Sequence, residues 1–409
     1  MTSKLKADVL ESATAGGVIT VQGEGGGTIA LADNTAITGT ATVSSTLAVT
    51  GASTLSGQAY PTAGGLWTGR NVVINGDMGV AQRATSATGL GAANGYFTVD
   101  RFKVFVGGST AGRFTMSQTA ITDLGGFSNA MKFDVTTADA SIAAGELFQI
   151  GTMFEGQDIQ RFKKGHSDAE SFTVSFYVKG TAKTYSVELF DGDNTRHVTQ
   201  TFNVTTSWNR IILNFPADTT GIFDSDNALS LYILIWVHAG SDYTSGTAAT
   251  SWAGNVNANR AVGCGSLFSS TANELFITGL QMEVGSVATP FEYESYAQNL
   301  QKCQRYYVEE RFGSGSRYGG AAFAGVAWST GEAAGTCSFP VPMRAAPTLT
   351  TVNSAGTVAS IHVAAVGDVV GGVTIPLGIS EKGFSAVGKS ASWSVGNICI
   401  GGYQADAEL

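Results

Sequence analysis

The chain has 409 residues, a formal net charge of −9 and only 13% charged side chains, with 53 glycines against 7 prolines. So little basic charge argues against a protein that tracks nucleic-acid phosphates, since that affinity comes from Lys and Arg displacing counterions. The aromatic content argues against disorder. Gly with abundant Thr and Val predicts short strands joined by tight turns, because Gly supplies positive φ and β-branched side chains suit a pleated surface.

At the N-terminus, "MTSKLKADVLES" lacks an apolar core for a signal peptide, so synthesis in a host cytoplasm without export is expected. The first sixty residues have no aromatic before Tyr60, and "AITGTATVSS" (36–45) repeats as "AVTGASTLSG" (48–57). Such a strip has too few apolar side chains to offset a backbone ordering cost of ~1–2 kcal/mol per residue. Several copies sharing one core would solve this, which predicts a trimeric β-rich fibre shaft over 1–66 rather than a flexible linker.

From Trp67 the composition changes. "GYFTVDRFKVF" (95–105) is dense in β-formers, and "RFKKGH" (161–166) is the densest basic cluster, though local. "SFTVSFYVKG" (171–180) alternates strictly, with Phe172, Val174, Phe176 and Val178 on one face. "TYSVELFDGDN" runs into the turn Asp191-Gly192-Asp193-Asn194. That turn could hold calcium through oxygen ligands but lacks EF-hand spacing, so a hairpin is the simpler reading. Strands are expected at 210–215, 229–238 and 274–284; the apolar "LSLYILIWVHAG" is too short to span a membrane. This pattern predicts an all-β chain whose central part, 67–293, is an antiparallel jelly-roll sandwich.

"QMEVGSVATPFEYE" (281–294) poses a choice between working carboxylates and a domain seam. The strand alternation up to Val284, the breaks at Gly285 and Pro290, and a capping box from Ser295 to Gln298 favour the seam. A connecting helix is expected within 294–312, with Ala297, Leu300, Cys303 or Gln304, and Tyr307 at helical spacing. A small β domain follows over 313–409.

Several blocks resemble a widespread set of bacteriophage tail-fibre or virion proteins: "RNVVINGDMGVAQR" (70–83), "YFTVDRFKV" (96–104), "FITGLQMEVGSVATPFEYESYAQNLQKCQRYY" (276–307) and "FPVPMRAAPTLT" (339–350). Met282 stands where that set usually has Leu. The resemblance covers 70–350 and implies a jelly roll similar to carbohydrate-binding modules. It further implies a virion protein with itself as homotrimer, other virion proteins and a host cell-surface glycan as partners. Neither nucleic acid nor membrane insertion is expected.

Sugar recognition needs aromatic platforms beside polar loop residues. "SDYTSGTAATSWAGNVNANR" (241–260) provides the best case, making Tyr243 and Trp252 the candidate glycan-binding residues. Trp252 is equally explained as a lid folded over the core, whereas Trp208 and Trp236 sit in strand contexts and are expected inside. The carboxylates Asp100, Glu188, Asp191, Asp193, Asp218, Asp224 and Asp226 show no pairing that singles out a hydrolase site, so no enzyme is expected. His166, His197, His238 and His362 are scattered, "GEGGGT" lacks the Lys of a phosphate loop, and Cys264, Cys303, Cys337 and Cys399 lack metal spacing. No cofactor is expected.

Overall fold

The computed structural model describes residues 53–55, 58–60, 69–311, 322–353, 357–364, 366–370, 373, 378–388 and 393–409. The expected trimeric shaft lies outside them, apart from a short hairpin of β1 (Ser53–Leu55) and β2 (Gln58–Tyr60). The described residues are nearly all β, with 44% of them in strands and 8% in helices.

The sandwich strands follow in order: β3 (Ser86–Leu90), β4 (Gly95–Tyr96), β5 (Lys103–Gly107), β6 (Arg113–Ala120), β7 (Asn129–Thr137), β8 (Leu147–Glu155), β9 (Phe172–Gly180) and β10 (Lys183–Asp191). They continue with β11 (Arg196–Val204), β12 (Asn209–Phe215), β13 (Leu229–Ala239), β14 (Ala253–Gly254) and β15 (Glu274–Val284). Seven of them form one antiparallel sheet in the order β14-β11-β10-β13-β8-β5-β4, and six the facing sheet, β12-β9-β15-β7-β6-β3. The chain crosses repeatedly between the two sheets, as in a jelly roll. Inward side chains of both sheets make one core, in which Phe172, Val174, Phe176 and Val178 are fully buried as their alternation predicts. The outward Thr173 and Ser175 are buried as well, because the segment after β15 folds back over them; Thr173 Oγ1 donates to the Gly285 carbonyl at 2.6 Å.

Two expected elements differ. The β-rich run 95–105 is split: Arg101 sits at φ 71°, a left-handed conformation outside the β region for a non-glycine residue, and β4 and β5 are separated by a turn. The connecting helix α2 (Tyr296–Gln304) has the Ser295–Gln298 capping box but stops at Gln304. Tyr307, expected on that helix, begins β16 (Tyr307–Glu310). (The earlier helical turn, α1, is Ser241–Thr244.)

β16 belongs to the C-terminal domain with β17 (Phe323–Ala327), β18 (Glu332–Ser338), β19 (Thr348–Val352), β20 (Ile361–Val363), β21 (Gly367–Val369), β22 (Gly383–Gly388) and β23 (Ile398–Asp406). Their order is β21-β20-β23-β17-β18-β22, with β16 and β19 pairing the far half of β23. Phe323, Phe339, Phe384 and Tyr403 centre a separate core.

The motif blocks meet where the two domains join. Asn75, at φ 61°, donates from Nδ2 to the Val80 and Asp100 carbonyls, both at 2.9 Å, and its own N–H reaches Asn299 Oδ1 on α2 at 2.9 Å. A Cβ on Gly76 would lie 2.1 Å from the Leu280 carbonyl oxygen, so only glycine fits there. Asn299 Nδ2 donates to Asp77 Oδ1 at 2.9 Å. Asp100 accepts from Gln82 N–H at 2.9 Å and Gln82 Nε2 at 2.6 Å, and Nε2 also reaches the Tyr307 carbonyl at 2.7 Å. Arg101, 1% exposed, ion-pairs with Glu408 and donates to the Met153 carbonyl at 2.8 Å, while its guanidinium lies 3.4 Å from the Tyr306 ring centroid. Arg83 repeats the pattern: it bridges Asp406 and Glu408 at 3.1 and 3.3 Å and stacks 3.6 Å from Tyr307.

Two predictions follow from this seam. Removing one partner of a buried pair strands a charge, so Arg101→Leu should destabilise the protein by about 3–5 kcal/mol, and Arg101→Leu/Glu408→Leu by distinctly less. Equal losses in denaturant unfolding would contradict the pairing. Burial pushes the Asp100 carboxyl up to about 6, outweighing the Gln82 donors. Between its ordinary value and about 6 the folded state therefore holds the extra proton, and this group's contribution to stability falls as pH rises through that window. Asp100→Asn should thus gain on the unaltered protein as pH goes from 4 to 7 in paired melts; a pH-independent difference would refute it.

Candidate functional site

The carboxylates of 281–294 are structural. Glu283 is buried and accepts from Gln281 Nε2 at 2.9 Å, Thr289 N–H at 2.8 Å and Thr289 Oγ1 at 2.7 Å. Glu292 takes the backbone N–H groups of Gly69 and Asn71 at 2.6 and 2.7 Å, and Glu294 pairs with Lys302. With these acceptors committed to the chain's own donors, this segment is the seam.

The "DGDN" turn is the hairpin between β10 and β11, and it is balanced internally. Lys164, fully buried, places Nζ 2.5 Å from Asp191 Oδ2, 3.2 Å from Asp218 Oδ2 and 2.9 Å from the Thr220 and Gly221 carbonyls. Arg196 completes the neutralisation of Asp218 at 2.8 Å, and hydrogen-bond donors with nearby cations hold that carboxyl below its usual range despite burial. This is the oxygen cage that a calcium ion would want, already filled by an ammonium. The Asp191 and Asp218 oxygens therefore do not fit calcium.

The sequence candidates separate. Trp252 is buried in the sandwich core, its Nε1 donating to the Pro216 carbonyl at 2.8 Å, its ring 5.7 Å from Phe172, and Lys164 Nζ 5.1 Å above it. It has the lid role and is no open platform. Tyr243 is half-buried on the outer face of the seven-stranded sheet, 5.2 Å from Trp236. Trp236 is buried as expected, but beneath the 241–265 excursion and not between the sheets. Trp208, expected inside, is half-buried on the outer face of the other sheet, where it donates to Asp123 at 3.0 Å and meets the edge of Phe276.

The outer face around Tyr243 carries the candidate site. Cross-strand register sets Met153, Tyr232, Phe190 and His197 in one row across β8, β13, β10 and β11, and Lys103, Gly151, Leu234 and Glu188 in the next. Tyr232 stands at the centre, half-exposed, with Phe190 at 5.7 Å and Phe105 at 6.4 Å, both edge-on and both half-exposed. Gly151 makes room for this group: a Cβ there would come within 2.7 Å of Phe105 and 3.0 Å of Leu234. A cation marks each end. Lys103 lies 5.2 Å from the Phe105 ring and Arg260 5.0 Å from the Phe190 ring. Burial pushes the Tyr232 phenol up, so it remains a hydroxyl donor.

Beneath the row, Glu188 anchors the covering loop. Fully buried, it accepts from Arg260 Nε and Nη2 at 2.9 and 3.1 Å and from Trp236 Nε1 at 2.8 Å, and it lies 2.9 Å from His197 Nδ1. The bidentate Arg260 contact fixes the 241–265 excursion to the sheet. His238, a satisfied strand-end residue, meets Ser266, just past the end of the excursion, at 2.8 Å and Glu146, just before β8, at 3.2 Å. Sequence alternation could have placed Tyr232, Phe190 and Phe105 outward; what it lacked was the register that joins them.

Cys303, Cys337 and Cys399 are buried free thiols and Cys264 is half-buried; its burial pushes that thiol up to about 12. Among the described residues no group of three or more His, Cys, Asp or Glu is placed to hold a metal, and no helix is long and apolar enough to cross a membrane.

No family model matches this chain, and no curated protein does. Similar solved structures include a carbohydrate-binding module, CBM4, at 10% identity and TM-score 0.26, covering 51% of this chain and 97% of that one. The family 11 carbohydrate-binding module of a Clostridium thermocellum cellulase is similar at 11% identity and TM-score 0.25, covering 51% and 98%. The enzymatically active domain of bacteriophage CBA120 tailspike protein 4 is similar at 12% identity and TM-score 0.28; the match covers 55% of this chain and about a quarter (24%) of that structure. Likeness at these scores fixes neither fold nor function.

The Lys164 cage yields a test. Lys164→Met leaves two buried carboxylates against one remaining cation and should cost about 3–5 kcal/mol. Excess calcium should leave the melting temperature of the unaltered protein where it is; a calcium-dependent rise would contradict the filled-cage account.

Proposed function

We propose that this chain is a non-enzymatic virion fibre protein that holds a host cell-surface glycan on the outer face of its seven-stranded sheet. The observation that carries this reading is the cluster of half-buried Phe105, Tyr232 and Phe190 with Lys103 and Arg260 at its ends. A pyranose ring stacks its C–H face on such aromatics, while its hydroxyls take the phenol and cationic donors that flank them. The fibre assignment rests on the resemblance of residues 70–350 to phage virion proteins and on the N-terminal repeat, which needs a core shared between copies. Several copies on one fibre raise effective concentration, so avidity can exceed the affinity of one site by ~10²–10⁴.

Binding without turnover is supported by the state of the carboxylates. Glu188, Asp191 and Asp218 are committed to Arg260, Lys164 and Arg196. Glu155 and Asp158 have the opposed shifts an acid–base pair would show: Glu155 is held low chiefly by Arg305, and burial pushes Asp158 up. Asp158, however, lines a crevice of about 10 Å³, room for roughly one water and no sugar.

Tyr232→Ala and Phe105→Ala should each weaken retention on immobilised bacterial surface polysaccharide at least tenfold, about 1.4 kcal/mol, with little change in melting temperature. Trp252→Phe should leave retention intact and lower stability. Retention unaffected by both platform variants would sink the assignment to this face and favour a structural virion component.

A further inference from the structure

The outer face of the C-terminal sheet is unusual for a water-facing surface. Eight of the fourteen large apolar residues exposed among the described residues lie beyond residue 322, in the smaller domain. On β17 the alternation puts Phe323 and Ala327 in the core and turns Ala324, Val326 and Trp328 outward, with Val326 53% and Trp328 60% exposed. Register extends this line sideways. Val326 faces Ala334 on β18 and Ile398 on β23, both exposed, and Val395 lies just before Ile398 at 66% exposed. Among the described residues, Glu332 beside the hairpin turn and the His362–Asp368 pair on the outer strands carry charge at the margins of this face. A contiguous apolar face of this kind marks an interaction surface.

We propose that this face packs against the same face of neighbouring copies of this chain, giving the fibre a second shared core at its C-terminal domains. This rests on the reading that copies are already joined through the N-terminal repeat. Three features select a second copy as the occupant. The chain carries a net charge of −9, so copies repel over most of their surface and can meet only where charge is missing. The row Ala334, Val326, Ile398 is made of small or β-branched residues, which suits packing against another sheet face. Copies held by a common N-terminal strip would also present this face to one another at high effective concentration, so a weak contact suffices.

The test uses the full chain with Cys264→Ser, the least buried of the native thiols, and adds Ala334→Cys. Solution mass is read by light scattering, and a short bis-thiol reagent reports which faces meet. A multimer whose Ala334→Cys chains crosslink several-fold faster than an Ile212→Cys control on the exposed sandwich surface is the expected result. Val326→Lys/Ile398→Lys in the same background should abolish that difference while melting as one folded protein. A multimer with no preferential crosslink would overturn this inference and leave the N-terminal shared core standing. A monomeric full chain would overturn both.

Discussion

The ion pair between Arg101 and Glu408 is the constraint on which the arrangement of the described domains depends. A guanidinium with 1% exposure needs its charge answered, and the Met153 carbonyl at Nη2, the Glu408 carboxylate at Nη1 and the Tyr306 ring under its face do this, while Nε stays buried without a hydrogen-bond partner. Those three come from the sandwich, the C-terminal segment and the connection between them. The left-handed backbone at Arg101 is part of the same device, because the turn it makes aims the side chain at the junction. Buried pairs of this type give little net stability against an apolar alternative. Their effect here is to fix one way in which the domains can join.

This changes what the resemblance to phage virion proteins means. The matching blocks contain Asn75, Asp77, Asp100, Arg101, Glu283, Glu292, Asn299 and Tyr306, residues of the kinds that attract a search for catalysis. All but Glu283 meet a neighbour from another block, and Glu283 is satisfied within its own by Gln281 and Thr289. The motif set thus encodes a domain junction. The proposed working surface uses Phe105, Phe190 and Tyr232; Phe190 and Tyr232 lie outside every matching block, and Phe105 directly follows one. On the proposed reading the junction would orient the domain, and the aromatic face would meet the ligand.

Much of the fold was legible in the sequence. The alternation in β9 gave its buried face, the capping box gave the start of α2, and the run 274–284 gave β15 without error at either end. The misses have identifiable causes. Local β propensity could not foresee the positive φ that breaks 95–105, because that conformation is imposed by contacts with residues some three hundred positions away. Tyr307 fitted helical spacing but pairs with Asp406, a tertiary preference that overrides the local one. Trp208 lies on an outer face and not in the core, because strand context predicts burial and not which face is buried. For the site, the loop 241–260 did contain a residue at the aromatic face, Tyr243. The row that makes the platform is assembled by register among β5, β8, β10 and β13, and sequence spacing within one strand carries no register.

The most direct measurement is hydrogen exchange on the full chain, with and without the bacterial surface polysaccharide that retains it best. Slowed exchange confined to 103–107, 183–191, 229–239 and the 241–265 excursion is the predicted result, with the polysaccharide recovered intact. Slowed exchange at 281–294 and the domain junction, or shortened polysaccharide at the end of the incubation, would contradict the account and return the seam carboxylates to consideration as a working site.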